Sequence, residues 1–181
     1  MLTNDLDTIS NMESGGLQLQ FDRINIIELI IDVIDELAFV AQPKNISLKL
    51  LNPATSVVNI FADKQRMRQV LINLIENAVK FGNTNGFVNV TVFEIDNKNI
   101  LVEVSDNGIG MQANELDRVF ERFYRTDSGK IKNKKGSGIG LALVKHIIEA
   151  HHQKISCRST PNVGTTFGFT LPCDDIFTHH S

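Results

Sequence analysis

Asn73 and Asn77 stand one helical turn apart in the segment Asn73-Leu74-Ile75-Glu76-Asn77-Ala78-Val79-Lys80-Phe81. Three further segments follow: Asp106-Asn107-Gly108-Ile109-Gly110, Phe120-Glu121-Arg122-Phe123-Tyr124-Arg125 and Gly136-Ser137-Gly138-Ile139-Gly140-Leu141. Each is weak alone. Their order and separations describe a pocket for a purine, a magnesium ion and a triphosphate under a mobile flap.

At about 100° per residue, Arg66, Gln69, Asn73, Glu76, Asn77 and Lys80 share one arc of a helix, and Met67, Val70, Leu71, Leu74, Ala78 and Phe81 share the next. A polar arc is ordinarily a solvated face. Two mid-helix asparagines argue otherwise, because each is several tenths of a kcal/mol worse than alanine there and solubility does not require them. Neutral amide oxygens can ligate Mg²⁺, which takes few protein ligands and fills the rest with phosphate oxygens and water. Lys80, one turn from Asn77, can reach the same phosphates.

Asp106 ends an alternating strand, and Gly108 and Gly110 after it let a flat ring approach the backbone. Its carboxylate accepts hydrogen bonds, and adenine offers an exocyclic amine; an ordinary Asp-Asn-Gly turn is the plainer reading. Gly136, Gly138 and Gly140 open a helix whose apolar stripe is Leu141, Val144, Ile147 and Ile148, leaving backbone N–H groups for an anion such as phosphate. A dinucleotide fold wants a strand before such glycines, whereas Lys-Asn-Lys-Lys precedes them here, and no Gly-Lys-Ser/Thr follows to make a P-loop. Arg122, Arg125, Lys130, Lys132, Lys134 and Lys135 would line the flap with positive charge, and Arg125 is singled out. His146, His151 and His152 have no Cys or carboxylate partners at metal spacing and read as structural.

The elements that must position these groups follow from pattern. A stripe of Leu2, Leu6, Ile9 and Met12 reads as the end of a helix closed by Ser14-Gly15-Gly16. Asn25 and Glu28 resemble a capping box before an amphipathic helix from Ile26 to Val40, which Pro43 stops. Alternation predicts strands over Ile46 to Leu50, Phe87 to Ile95 and Ile100 to Val104, the last two joined by an Asp96-Asn97-Lys98-Asn99 turn. It also predicts a hairpin of Ile155 to Ser159 with Thr165 to Leu171 around Pro161-Asn162-Val163-Gly164. Helices are expected over 64–81 and 138–151, and the polar, basic stretch 126–136 reads as a mobile loop. Hairpin-clustered strands favour an α+β fold, a mixed, mostly antiparallel sheet covered by helices on one face.

Bulk properties bound the partners. At 181 residues and 42% apolar content the chain holds one full-sized core. A net charge of −3 gives no general attraction to nucleic acid or to an anionic membrane. The predicted hairpin puts Cys157 opposite residues near Phe167 rather than Cys173, which argues against a disulfide and fits a reducing cytosol. No segment is apolar enough to cross a bilayer, and no signal peptide pattern is present.

Taken in order, the four segments resemble the boxes of the ATP-binding catalytic domain of two-component sensor histidine kinases, within the gyrase, heat-shock chaperone, histidine kinase and mismatch-repair ATPase superfamily. The resemblance runs from about Ile9 to Pro172 and takes in Ile9-Ser10-Asn11-Met12-Glu13-Ser14-Gly15 and Gly164-Thr165-Thr166-Phe167-Gly168-Phe169-Thr170-Leu171-Pro172. It implies a two-layer α/β sandwich of the Bergerat type. It also implies the end of a dimerisation and phosphoacceptor helix with its linker over 1–16, the catalytic domain over 17–172 and a tail over 173–181.

By the same resemblance, the ligands are ATP and Mg²⁺, with Asn77 on the metal and Asn73, Lys80 and Arg125 beside the phosphates. Phe81 lines the base pocket, Asp106 takes the adenine amine, and Gly108 and Gly110 admit the base. Phe120 and Phe123 anchor the flap, Gly136, Gly138 and Gly140 close over the triphosphate, and Leu141 and Thr166 complete the nucleotide contacts. The implied partners are the helical phosphoacceptor domain and the receiver domain of a response regulator, with no nucleic acid and no direct membrane contact. The location implied is cytoplasmic, the parent being free or anchored in the inner membrane, and the fragment monomeric.

Three departures stand out. Lys135 replaces a common glycine, His152-Gln153 replaces a glycine pair, and no histidine here carries the acidic, Leu, Arg, Thr, Pro pattern of the phosphoacceptor segment. The superfamily's hydrolases place a Glu where this chain has Asn73, and an amide cannot take a proton from water. The expected activity is therefore transfer of the γ-phosphoryl to a histidine on an absent domain. The alternatives are a nucleotide-binding module without chemistry, a serine-directed kinase, or a hydrolase using Glu76 as base.

Overall fold

Asn25 begins the first long helix by turning its side-chain oxygen back onto the chain: Oδ1 accepts from Ile27 N at 3.2 Å and from Val58 N at 3.1 Å. The cap therefore starts helix α1 (Ile26–Ala41) and ties it to a distant segment at once. The computed structural model describes residues 7, 8, 10, 11, 14–51, 53, 57–132 and 136–173. The apolar stripe expected around Leu2, Leu6, Ile9 and Met12, the flap residues Lys134 and Lys135, and most of the tail lie outside the described residues.

Strand β1 (Phe21–Asn25) precedes α1, and a 3-10 turn (Gln42–Lys44) carrying Pro43 ends it. Then follow β2 (Ser47–Leu50), β3 (Asn59–Asp63), helix α2 (Lys64–Phe81), β4 (Phe87–Asp96) and β5 (Asn99–Asp106). After a second 3-10 turn (Ala113–Arg118) come a short helix α3 (Asp127–Lys132), helix α4 (Gly140–Ala150), β6 (Ile155–Thr160) and β7 (Gly164–Pro172). Five strands form a mixed sheet in the order β2-β4-β5-β7-β6, parallel only between β2 and β4. β1 and β3 make a separate antiparallel pair, joined to the end of β7 by a bridge between Ile60 and Cys173.

Alternation decides the faces. Val88, Val90, Ile100, Val102, Val104, Phe167, Phe169 and Leu171 point inward against α1, α2 and α4 and are buried. The other face carries polar groups, including a Glu103–Arg158 ion pair at 2.7 Å and Ser105 hydrogen-bonded to Thr166 at 2.8 Å. The expected α+β sandwich, helix 64–81 and both hairpins are present, and Cys157 pairs with Phe167 as the register predicted, so the two cysteines are not bonded to each other.

Two differences have physical causes. The β1/β3 pair was not anticipated because Phe21, Asp22 and Arg23 are all exposed, leaving no alternation to read. Its regularity comes from register with β3, a tertiary effect. The stretch 126–136, expected as a loop, contains α3, with Thr126 Oγ1 accepting from Gly129 N at 2.9 Å in its first turn.

At the end of α4 the glycine pair's replacement is accommodated without glycine. His152 takes a left-handed conformation (φ 57), which histidine tolerates better than most residues, and Gln153 N closes the helix onto Ile148 O at 3.1 Å. Its neighbour His151 is buried, with Phe21 packed edge-on at 5.2 Å. The Asp63 amide donates to its Nε2 at 3.1 Å, so the proton sits on Nδ1, which donates to Ile147 O at 2.7 Å. Asp63 also caps α2, so His151 ties the start of α2 to the end of α4.

Burial holds His151 below the ordinary histidine range, against the opposing pull of the Ile147 carbonyl. Protonation would set an N–H against the Asp63 amide. Because the folded state resists the proton more than the unfolded chain does, stability falls as pH drops through about 6.5 toward the lowered folded value. Denaturant melts at pH 7.5 and 5.5 should show this loss. In His151→Leu, less stable at pH 7.5, the part of the loss that belongs to this group should disappear.

Candidate functional site

α2 ends with its last turn against a loop and a cavity of about 510 Å³ opening beside it. That volume suits a small-molecule ligand. α2 contributes to the wall Asn73, Glu76, Asn77 and Lys80 of the polar arc read from the sequence, and Phe81 from the end of the neighbouring apolar arc. The opposite arc, Met67, Val70, Leu71, Leu74, Ile75 and Ala78, is buried in the core. The core thus fixes which way the amides and Lys80 face.

Asn73 Nδ2 donates to Gln69 O at 2.9 Å, which leaves its oxygen directed toward Gly140 at the start of α4. No side chain caps α4, whose first turn borders the cavity through Gly140 and Leu141. Gly136, Ser137 and Gly138 lead into it along the same wall.

The loop after β5 supplies Asp106, Ile109, Gly110 and Met111, and it is held from both sides. Gly108 N donates to Asp106 Oδ1 at 2.8 Å and Ile109 N to Phe81 O at 3.1 Å. From the other side Asn162 N donates to Ile109 O at 2.7 Å, and Ser159 Oγ accepts from Met111 N at 2.9 Å. Gly108 is compulsory here, because a Cβ would lie 2.3 Å from Phe81 O. Cys157 lies close by, its thiol pushed up to about 12 by burial and, secondarily, by the Asp106 carboxylate; it stays an inert thiol.

The flap closes the remaining side with Tyr124, Arg125, Thr126 and Gly129. Gly129 packs on the Phe81 ring, and Arg125 Nη2 reaches Gly129 O at 3.5 Å. Buried Glu115 holds the flap's root, accepting from Gln112 N at 2.9 Å and from Asp127 N at 3.1 Å. The two ends of the flap meet where Phe123 N donates to Gly138 O at 2.9 Å.

Of the residues selected from sequence, Asn73, Asn77, Lys80, Phe81, Asp106, Gly110, Arg125, Gly136, Gly138, Gly140 and Leu141 come together on this wall. Four lie off it. Gly108, within the loop, backs onto the Phe81 carbonyl, and Phe120 packs edge-on against Phe167 at 5.9 Å. Phe123 is 64% exposed, joined to Gly138 through its backbone. Thr166 faces the far side of the sheet, while Thr165 and Phe167 line the cavity. Counting back by two from inward Phe169 identifies Thr165. Ile109, Met111, Val119, Tyr124 and Thr126 were not selected, and only the loop's folding shows that they line the wall.

Among the described residues no three His, Cys, Asp or Glu side chains cluster at metal distance. What the cavity offers a cation is the amide oxygens of Asn77 and Asn73 with the Glu76 carboxylate. That set fits Mg²⁺, which keeps most of its shell for water and phosphate, and fits a thiolate- or imidazole-seeking metal poorly.

Comparison with known proteins bears on the same site. Residues 62–175 match the family described as histidine kinase-, DNA gyrase B- and HSP90-like ATPase. The chain is 32% identical over 177 residues to the autoinducer 2 sensor kinase/phosphatase LuxQ of Vibrio parahaemolyticus, covering 95% of this chain and 20% of that protein. To the sensor histidine kinase WalK of Bacillus subtilis it is 32% identical over 172 residues, covering 94% and 28%. It thus spans less than a third of the length of either relative.

Among solved structures, full-length ShkA in complex with AMPPNP superposes with a TM-score of 0.83 at 27% identity, over 96% of this chain and 35% of that one. The catalytic domain of histidine kinase ThkA superposes at 0.72 and 27% identity, over 87% and 98%. Among the described residues, no helix is long and apolar enough to cross a membrane.

The seat of Gly108 gives a test that needs no ligand. Gly108→Ala should destabilise the chain by about 1–3 kcal/mol, the usual cost of overpacking, read as a lower denaturant midpoint at unchanged m-value.

Proposed function

We propose a role for this chain on the premise that it belongs to the histidine kinase-, DNA gyrase B- and HSP90-like ATPase family: its cavity binds Mg-ATP as the catalytic module of a sensor histidine kinase and delivers the γ-phosphoryl to a histidine on a separate helical domain. The observation that carries the proposal is the convergence of Asn77, Lys80, Asp106 and Arg125, from three separate stretches, on one cavity of nucleotide size.

Asp106 accepts the adenine 6-amino group, its own orientation being held by the Gly108 amide. Phe81 forms the base wall on one side, with Ile109 and Met111 supplying apolar surface from the loop. Asn77 holds the metal, with Asn73 and Glu76 one turn or less away, and Lys80 and Arg125 face the phosphate chain. When bound, Mg²⁺ neutralises charge on the phosphate oxygens. The protein's own task is alignment and charge: phosphoryl transfer needs little covalent help, so long as Lys80 and Arg125 oppose the developing charge and an imidazole arrives in line. Asn73, its amide committed to Gln69 O, cannot activate water.

Residues 1–16 continue from the helical phosphoacceptor domain of the parent, which passes its phosphoryl to the receiver domain of a response regulator. The module works in the cytoplasm. The placement of Glu76 on the cavity wall favours one second reading, hydrolysis with Glu76 as the base.

Radiolabelled ATP, this chain and a separately produced phosphoacceptor domain distinguish these. Acid-labile, alkali-stable label on the partner is expected. Acid-stable label indicates a serine acceptor, release of free phosphate without a partner indicates hydrolysis, and saturable ATP binding with no label leaves a binding module. Independently, Asp106→Asn keeps an oxygen for the Gly108 amide but turns a donor toward a donor. It should weaken adenine nucleotides by about tenfold or more in calorimetry, since a hydrogen bond to a charged group contributes roughly 1.5–3 kcal/mol.

A further inference from the structure

The C-terminus of α2 lacks a closing motif of its own. Its capping residue, Gly82, is extended (φ −66, ψ 155) rather than left-handed, and its N–H reaches Val79 O only at 3.3 Å. The last carbonyls of such a helix need donors from elsewhere. Two groups provide them. The Lys44 ammonium donates to Val79 O at 2.9 Å, Lys80 O at 2.6 Å and Gly82 O at 3.4 Å. The Ile109 amide takes Phe81 O at 3.1 Å.

Lys44 does not line the cavity, yet it is delivered with little freedom. Pro43 stiffens its turn, and Asn45 follows in a left-handed conformation (φ 50). The turns 42–47 and 82–86 are zipped together: Asn85 N donates to Lys44 O at 2.8 Å, Asn45 Nδ2 to Asn85 Oδ1 at 2.8 Å, and Ser47 N to Gly86 O at 3.0 Å. A cation at the negative end of the helix macrodipole adds to the effect.

We infer that Lys44 is a specificity-determining positioning residue: by matching the last carbonyls of α2 it fixes the Phe81 carbonyl, hence the Ile109 amide, hence the Asp106 loop that reads the base. The inference rests on the assignment of adenine to Asp106. The path is short and mechanical. Without the ammonium the turn 79–82 must open to water, Phe81 O moves, and the Asp106 loop loses the hydrogen bond that ties it to the end of α2, while its contacts with Asn162, Ser159, Asn83 and Phe87 remain. Asn73, Glu76 and Asn77 lie further back in α2, where helical bonds and the buried Leu74, Ile75 and Ala78 hold them independently; Lys80 lies in the turn that opens, but its ammonium rides on a flexible four-carbon stem and can follow the phosphates. Removing Lys44 therefore relaxes base recognition more than phosphate binding. A purely structural lysine would weaken all nucleotides alike.

The test compares Lys44→Met with the parent chain in calorimetric titrations with Mg²⁺ and the non-hydrolysable imido analogues of ATP and ITP, which differ at the 6-amino group. The parent should prefer the ATP analogue. In Lys44→Met its affinity should fall by about tenfold, as expected for lost hydrogen bonds to a charged group, and that of the ITP analogue by less than about threefold. Lys44→Arg, which keeps the cation, should retain the preference. Equal weakening of both analogues, or of neither, overturns the inference while leaving the nucleotide site intact. A parent chain with no preference overturns the assignment to Asp106 and the inference with it. If Lys44→Met fails to fold, Lys44→Gln takes its place with the same expected ordering; failure of both to fold assigns Lys44 to stability alone and overturns the inference.

Discussion

A helix that ends leaves its last carbonyls without partners in the helix, and each must find a donor elsewhere. α2 ends in that situation, and most of the site can be understood from how it is resolved. The Lys44 ammonium and the Ile109 amide approach the last turn from two directions, so that the helix bearing Asn73, Asn77 and Lys80 and the loop bearing Asp106 become parts of one rigid piece. Gly108 belongs to the same solution, since any side chain there would occupy the place of the Phe81 carbonyl. The hairpin of β6 and β7 completes it, holding Ile109 and Met111 from the far side through Asn162 and Ser159. A hydrogen-bonding requirement of one helix end thus becomes a binding geometry.

The flap obeys a looser version of the same logic. Its ends are joined by backbone, Phe123 to Gly138, and its root is held by Glu115, whose two oxygens serve amides on either side of the segment between them. Between these fixed points α3 rests on the Phe81 ring through Gly129. Ile131, on α3, is 80% exposed, and Phe123 is also largely outside. The flap therefore carries apolar surface outward at Ile131 and Phe123 and sends Arg125 inward to the cavity.

Much of this was legible before any coordinates. Period 3.6 located α2 and told its core arc from its polar arc, because packing and solvation impose opposite demands on neighbouring stripes of one helix. Period two located five strands and placed Cys157 opposite residues near Phe167, its partner in the structure. What stayed hidden depends on distant partners. β1 is a strand because β3 lies beside it; α3 is a helix because Thr126 and Glu115 bind the amides around its start. Thr166 was chosen over Thr165 from a motif, where strand parity turns the former to the outer face. Nothing local to Gln42-Pro43-Lys44 reveals that a helix end lies within reach of the Lys44 ammonium.

Membership of the ATPase family and the superposition with histidine kinase catalytic domains agree with the physical reading. The central claim is that the end of α2 and the Asp106 loop act as one recognition unit. A crystal structure of this chain with Mg²⁺ and a non-hydrolysable ATP analogue tests it most directly. The account predicts the adenine amine on the Asp106 carboxylate, the base against Phe81 and the metal on Asn77, with the Ile109–Phe81 bond unbroken. A nucleotide bound with its base elsewhere, or a loop that parts from α2 to admit it, would contradict the claim.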